Sequence, residues 1–260
     1  MRKKNNMILT IDVGNTDTVF CFYDGEKVAL NARAATKPYK NLDEYLSFFQ
    51  ELKHKIPKSS LEGIIISSVV PTLKALLQAS CRKVFDVEPL LLGENNVRVD
   101  LNIKIDKPAS LGADRIANGV GAIKKYKKNV IIVDFGTATN FDVIGEENDF
   151  IGGIIAPGIK TSIQSLHDAA ALLPMYEVAK PSKVVATSLE DALHSGIFYG
   201  SIGMIEHLIG NIKKELKKDF KVVSTGGLGG LFTKHTNSID IYDEHLTTFG
   251  LLEIYKFNQI

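Results

Sequence analysis

One pattern occurs twice in this chain, and it limits the possible folds more than anything else in the sequence. An apolar strand ending in Ile11-Asp12-Val13-Gly14-Asn15-Thr16 returns as Val133-Asp134-Phe135-Gly136-Thr137-Ala138, and Asp134 follows Asp12 by 122 residues in a chain of 260. Each copy is followed by a second strand, Thr18 to Tyr23 in the first and Phe141 to Ile144 in the second. Repetition at nearly half the chain length predicts two copies of one fold unit, residues 1–120 and residues 121–260. Each is long enough to bury a core of its own.

The other elements alternate between strand and helix, so the predicted class is α/β. Lys27 to Ala32 reads as a third strand, and Asn41 with Glu44 forms a capping-box pattern ahead of a helix. Gly63 to Val70 is a buried strand, Pro71 opens a helix through Arg82, Pro89 to Leu92 is a short strand, and Ile116, Val120 and Ile123 give the next helix its apolar face. In the second half, a strand from Phe150 to Ala156 leads to Pro157-Gly158 and a helix. Thr187 with Glu190 predicts a second capping box, which starts a long helix. The glycines of that helix, Gly196, Gly200 and Gly203, predict close packing against another helix. Val222 to Ser224 is a strand running into Thr225-Gly226-Gly227, and Thr247 to Phe257 is a final helix.

Composition narrows the partners. Lys and Arg number 31 against 30 for Asp and Glu, so there is no positive excess to hold nucleic acid by counterion release. The two cysteines, Cys21 and Cys81, fit buried thiols in a reducing cytosol, with neither disulfide nor zinc spacing. The apolar stretch after Asn6 is broken at Asp12, and no run approaches the roughly 20 residues of a membrane span. The expectation is a cytoplasmic protein without a membrane partner.

A strand that ends in Asp-x-Gly-Asn-Thr sets a carboxylate beside a tight turn whose N–H groups can face phosphate oxygens, while the acid holds Mg²⁺ through water. A single copy is as well explained by a hairpin with Asn15 and Thr16 as turn residues, but two copies in register favour phosphate binding. Asp114, in Gly112-Ala113-Asp114-Arg115, is on its residues alone open to two readings. Those residues by themselves favour a first-turn acid with Arg115 as a surface partner over a general base with Arg115 as an anion clamp. Thr225-Gly226-Gly227 fits a nucleotide lying on bare backbone, or an ordinary turn. His167, His194, His207 and His235 have no ligand spacing, and Lys213 to Lys218 reads as a solvated helix end.

In the same order and over nearly the whole chain, these residues resemble type III pantothenate kinases. The matching segments are Asp12 to Thr16, Gly112 to Arg115, Asp134 to Thr139, Gly152 to Gly158, Leu173-Pro174 and Thr225 to Leu228. The resemblance implies two ribonuclease H-like domains of the actin-like ATPase type with an interdomain cleft, a homodimer, and transfer of the ATP γ-phosphoryl group to the pantothenate hydroxyl.

By position, Asp114 is implied as the proton acceptor, and Gly112, Ala113, Asp114 and Arg115 as pantothenate contacts. Asp12, Val13, Gly14, Asn15, Thr16, Asp17, Thr18 and Val19 are implied as the ATP phosphate segment, with Thr137 as a second contact. Asp12 is implied near Mg²⁺ and Asp134 as the ligand of a monovalent cation, K⁺ or NH₄⁺. Two positions depart from the family pattern, Ile105 for its usual tyrosine and Leu189 for its usual threonine. They keep open a different hydroxyl acceptor, and a non-catalytic nucleotide-binding homologue is the third alternative.

Overall fold

A computed structural model describes residues 7–37, 41–56, 61–127, 129–169 and 175–259. These fall into two compact units, residues 1–125 with 245–260 and residues 126–244. The Leu173-Pro174 motif lies outside the described residues.

The first unit is built on the strands β1 (Met7–Val13), β2 (Asp17–Asp24), β3 (Lys27–Ala35), β4 (Leu61–Ser68) and β5 (Leu90–Leu91), in the spatial order β3-β2-β1-β4-β5. β1 to β3 form an antiparallel meander, and β4 and β5 add in parallel. The parallel joins need helical crossovers. The first is α1 (Leu42–Lys55), which begins at the predicted capping box of Asn41 and Glu44, and the second is α2 (Pro71–Phe85), which begins at its proline.

Because side chains alternate along a strand, β1 has two faces. Met7, Leu9, Ile11 and Val13 pack with Phe49 of α1 and Leu77 of α2 in one apolar cluster. Asp12 has the opposite parity. That face is covered by α7 (Leu246–Phe257), where the Tyr23 hydroxyl meets Thr248 Oγ1 at 2.9 Å. Cys21 and Cys81 are buried and outside any disulfide, and burial pushes the Cys81 thiol well up, which leaves it inert.

After a short β6 (Asn102–Ile103) and a 3₁₀ turn at Pro108–Ser110 comes α3 (Ala113–Tyr126). α3 and α7 touch backbone to backbone. A Cβ on Gly250 would lie 1.8 Å from the Ala117 carbonyl oxygen, and one on Gly121 would lie 2.6 Å from that of Leu246. This contact holds the last helix of the chain in the first unit, although it follows the repeat's second copy in sequence.

The second unit repeats the plan with β7 (Val130–Phe135), β8 (Ala138–Ile144), β9 (Asp149–Pro157), β10 (Lys221–Gly226) and β11 (Ile241–Tyr242), in the order β9-β8-β7-β10-β11. Again three strands are antiparallel and two are added in parallel. α4 (Ile159–Ala169) and α5 (Leu189–Leu216) connect β9 to β10, and a short α6 (Gly229–Thr233) connects β10 to β11. Ile131, Val133 and Phe135 face Ile163 of α4 and Phe198 of α5, so Asp134, like Asp12, has the parity of the opposite face.

Two expectations need correction. The N-cap of α5 is Ser188, not Thr187: its backbone is extended, and its Oγ accepts from the Asp191 N–H and donates to the Asp191 carboxylate. The Thr187 and Glu190 pair lies one residue too early. Nor do Gly196, Gly200 and Gly203 pack closely against another helix among the described residues, because a Cβ at any of them would meet nothing within 4 Å.

Candidate functional site

Asp12 and Asp134 occupy equivalent places next to the ends of the central strands of their sheets. Asp12 pairs with Val19 on β2 and Ser67 on β4, and Asp134 pairs with Asn140 on β8 and Thr225 on β10. Both aspartates are half-buried, and each is followed by an exposed tip, Asn15-Thr16 in the first unit and Gly136-Thr137 in the second. The turns differ by one residue. Four residues separate the partners Val13 and Thr18, whereas three separate Phe135 and Thr139.

In the first turn, the Gly14 N–H donates to the Asp17 carbonyl at 3.0 Å. Thr36, the first residue past β3, closes it from behind: its N–H donates to the Thr16 carbonyl at 2.8 Å and its Oγ1 to the Gly14 carbonyl at 2.8 Å. Val13 and Thr18 are buried, so of the predicted segment the turn offers Asn15, Thr16 and backbone N–H groups to a ligand. The Asp17 carboxylate is paired with Arg33 at 3.4 Å in an exposed ion pair.

The second turn rests on bare backbone. A Cβ on Gly158 would lie 2.1 Å from the Thr137 carbonyl oxygen, and Thr161 of α4 donates its hydroxyl to that same oxygen at 2.7 Å. On the other side, Gly226 ends β10 with φ of 82°, and a Cβ there would fall 2.7 Å from Asp134 Oδ1. A side chain at this position would press on the carboxylate and strain the backbone, so glycine keeps open the space beside Asp134.

Asp114 stands in the first turn of α3, where a helix favours a carboxylate. Its Oδ1 accepts from the Arg115 N–H at 2.8 Å, and a Cβ on Gly112 would lie 2.5 Å from the same oxygen. Gly112 is thus the space into which the Asp114 carboxylate folds. Gly112, Ala113, Asp114 and Arg115 are all half-buried. The first unit therefore gathers Asp12 to Val19 and Gly112 to Arg115, while Asp134 and Thr137 belong to the second.

Among the described residues, no cluster of three or more His, Cys, Asp or Glu could hold a metal by itself. Lone carboxylates beside open turns suit ions that keep most of their shell as water and phosphate oxygens. No helix of the described residues is long and apolar enough to cross a membrane. Thr36 and Thr161 were not among the predicted residues. The one trace they leave in sequence is that each follows the third strand of its repeat, 22 residues after Gly14 and 24 after Thr137 respectively.

The sequence profile of the type III pantothenate kinase family matches residues 8–211. The type III pantothenate kinase of Caulobacter vibrioides is 41% identical over 258 residues, covering 98% of either chain. The chain belongs to the type III pantothenate kinase family. Among solved structures, a Campylobacter jejuni protein assigned to the Baf family of transcriptional activators matches with a TM-score of 0.61 at 24% identity, over 96% of this chain and 98% of that one. A Listeria monocytogenes protein assigned as an N-acetylmannosamine kinase matches with a TM-score of 0.52 at 12% identity, over 97% and 99%. At such identities these two show the fold alone. In this family member the strand order β3-β2-β1-β4-β5, repeated as β9-β8-β7-β10-β11, is the frame that carries the predicted phosphate and cation residues, while Gly112 to Arg115 stand at the start of α3.

Proposed function

We propose that this chain transfers the γ-phosphoryl group of ATP to the hydroxyl of pantothenate, giving 4′-phosphopantothenate in the first step of coenzyme A biosynthesis. One observation carries this reading: family identity extends over nearly the full length of the chain, with both Asp-x-Gly turns and Gly112-Ala113-Asp114-Arg115 in place.

Asp114 accepts the hydroxyl proton as the oxygen attacks the γ-phosphorus, ADP leaves, and the proton passes on to solvent. Arg115, with Gly112 and Ala113, holds the pantothenate carboxylate. The segment from Asp12 to Val19 takes phosphate oxygens on its backbone N–H groups, and Thr137 adds a second contact to ATP. Mg²⁺, held near Asp12 through water, and K⁺ or NH₄⁺ at Asp134 supply positive charge against the polyphosphate. Glycine at position 226 supports this reading, because a Cβ there would lie 2.7 Å from Asp134 Oδ1 and crowd any ligand of that carboxylate. Each unit is a ribonuclease H-like domain, and the protein works as a cytoplasmic homodimer with neither nucleic acid nor membrane as partner.

A second reading keeps this chemistry and changes the acceptor. It is favoured by Ile105 and by Leu189, an apolar side chain 55% exposed at the first position of α5. Coupled ADP release with and without pantothenate, in K⁺ and in Na⁺, tests the first reading. Pantothenate should be required for turnover and K⁺ should accelerate it. Turnover with other hydroxyl compounds but none with pantothenate establishes the second reading instead.

A further inference from the structure

Thr36 is fully buried, yet its polar atoms are spent on a single turn. Its N–H donates to the Thr16 carbonyl at 2.8 Å, and its Oγ1 to the Gly14 carbonyl at 2.8 Å. A hydroxyl has one proton to give. In the 2.9 Å contact between Thr36 Oγ1 and Thr18 Oγ1, Thr18 is therefore the donor.

The direction of these bonds matters, because a trans peptide holds its C=O and N–H antiparallel. Holding the Gly14 and Thr16 carbonyls towards Thr36 turns the N–H groups of Asn15 and Asp17 to the far side of the turn. We propose that Thr36 is a positioning residue for ATP. It fixes the first turn in advance in the form that presents these N–H groups to phosphate oxygens, so the ordering cost is met before the nucleotide arrives. The second unit has a counterpart in Thr161, which donates to the Thr137 carbonyl at 2.7 Å.

This inference rests on the reading of Asp12 to Val19 as the ATP phosphate segment. It is tested in the full-length protein by calorimetric titration with MgATP, together with separate KM values for ATP and pantothenate. Thr36→Val keeps the shape and removes the donor, and should weaken ATP affinity about tenfold while KM for pantothenate stays within about twofold. Thr36→Ser keeps the hydroxyl and should stay within about twofold of the parent for ATP. Thr10 is a control, a fully buried threonine on β1 whose Oγ1 donates to the Cys21 carbonyl at 3.3 Å. Thr10→Val should leave ATP affinity unchanged.

The proposal is overturned if Thr36→Val binds ATP like the parent, if Thr10→Val weakens binding equally, or if Thr36→Ser loses as much as the valine variant was expected to. The last arm decides the matter even when the valine variant does not fold. A parent protein that binds ATP without phosphorylating pantothenate sinks the functional reading and leaves the calorimetric comparison valid, whereas one that binds no ATP sinks both.

Discussion

The turns after Asp12 and Asp134 stand at the same place in the same strand order, but one is held from within and the other from outside. Behind the first lies buried Thr36, which also receives the Thr18 hydroxyl. Behind the second lie the bare backbone of Gly158 and exposed Thr161. The consequence falls on a pair of equivalent threonines. Thr18, opposite Val13, has a partner for its hydroxyl, whereas Thr139, opposite Phe135, is fully buried and among the described residues its Oγ1 has none. The comparison teaches that the repeat preserves the Asp-x-Gly turn with its exposed tip, and that each copy has found its own support.

The largest expected difference between the copies is chemical. On the proposed function, Asp12→Asn should lower kcat/KM for ATP about a hundredfold, because it would remove a charge close to the transferred phosphoryl group. Asp134→Asn should cost about tenfold and abolish the difference between K⁺ and Na⁺. Steady-state kinetics in the two salts checks both, and equal losses with an intact K⁺ response would erase the division of roles.

Next in size is the effect of adding a methyl group behind each turn. Gly158→Ala pushes Cβ to 2.1 Å from a backbone oxygen, whereas Gly14→Ala brings it to 3.0 Å from the Asp17 carbonyl. Urea unfolding should show a loss of about 3 kcal/mol for the former and about 1 kcal/mol for the latter. The reverse order would mean that the second turn is the more yielding.

The smallest test compares the two threonines. Thr18→Val should destabilise by about 1 kcal/mol, while Thr139→Val, which removes a buried hydroxyl without a partner, should be neutral or stabilising by up to about 1 kcal/mol. A destabilised Thr139→Val, measured by thermal or urea unfolding, would show that a hydroxyl partner exists there after all.

What could be seen in the sequence was what is local. Asn41 with Glu44, and Pro71 at a helix start, announce themselves within one turn of chain, and both helices begin where those residues direct. The strand patterns around Asp12 and Asp134 were equally legible, because β-branched runs broken by glycine need no distant partner to be recognised. Three other features depend on residues meeting across the fold. The missing residue in the second turn appears only in the pairing of Phe135 with Thr139, since the two sequences align without a gap through Ala138. The home of α7 is decided by Gly250 lying on the Ala117 carbonyl, and nothing in the spacing of α7 points to it. The bonds from Thr36 back to Gly14 and Thr16 bridge most of a β-meander, so a threonine that looks like a strand end in sequence turns out to be the support of the turn.

Asp114 is the proposed proton acceptor, and its geometry sets the sharpest test. Its carboxylate lies in the space left by Gly112 and is anchored by the Arg115 N–H at 2.8 Å. Asparagine has nearly the same shape but cannot take the proton. Asp114→Asn should therefore reduce kcat for pantothenate about a thousandfold, with the unfolding midpoint and ATP affinity close to those of the parent. A folded Asp114→Asn variant that turns over pantothenate at the parent's rate would contradict the account.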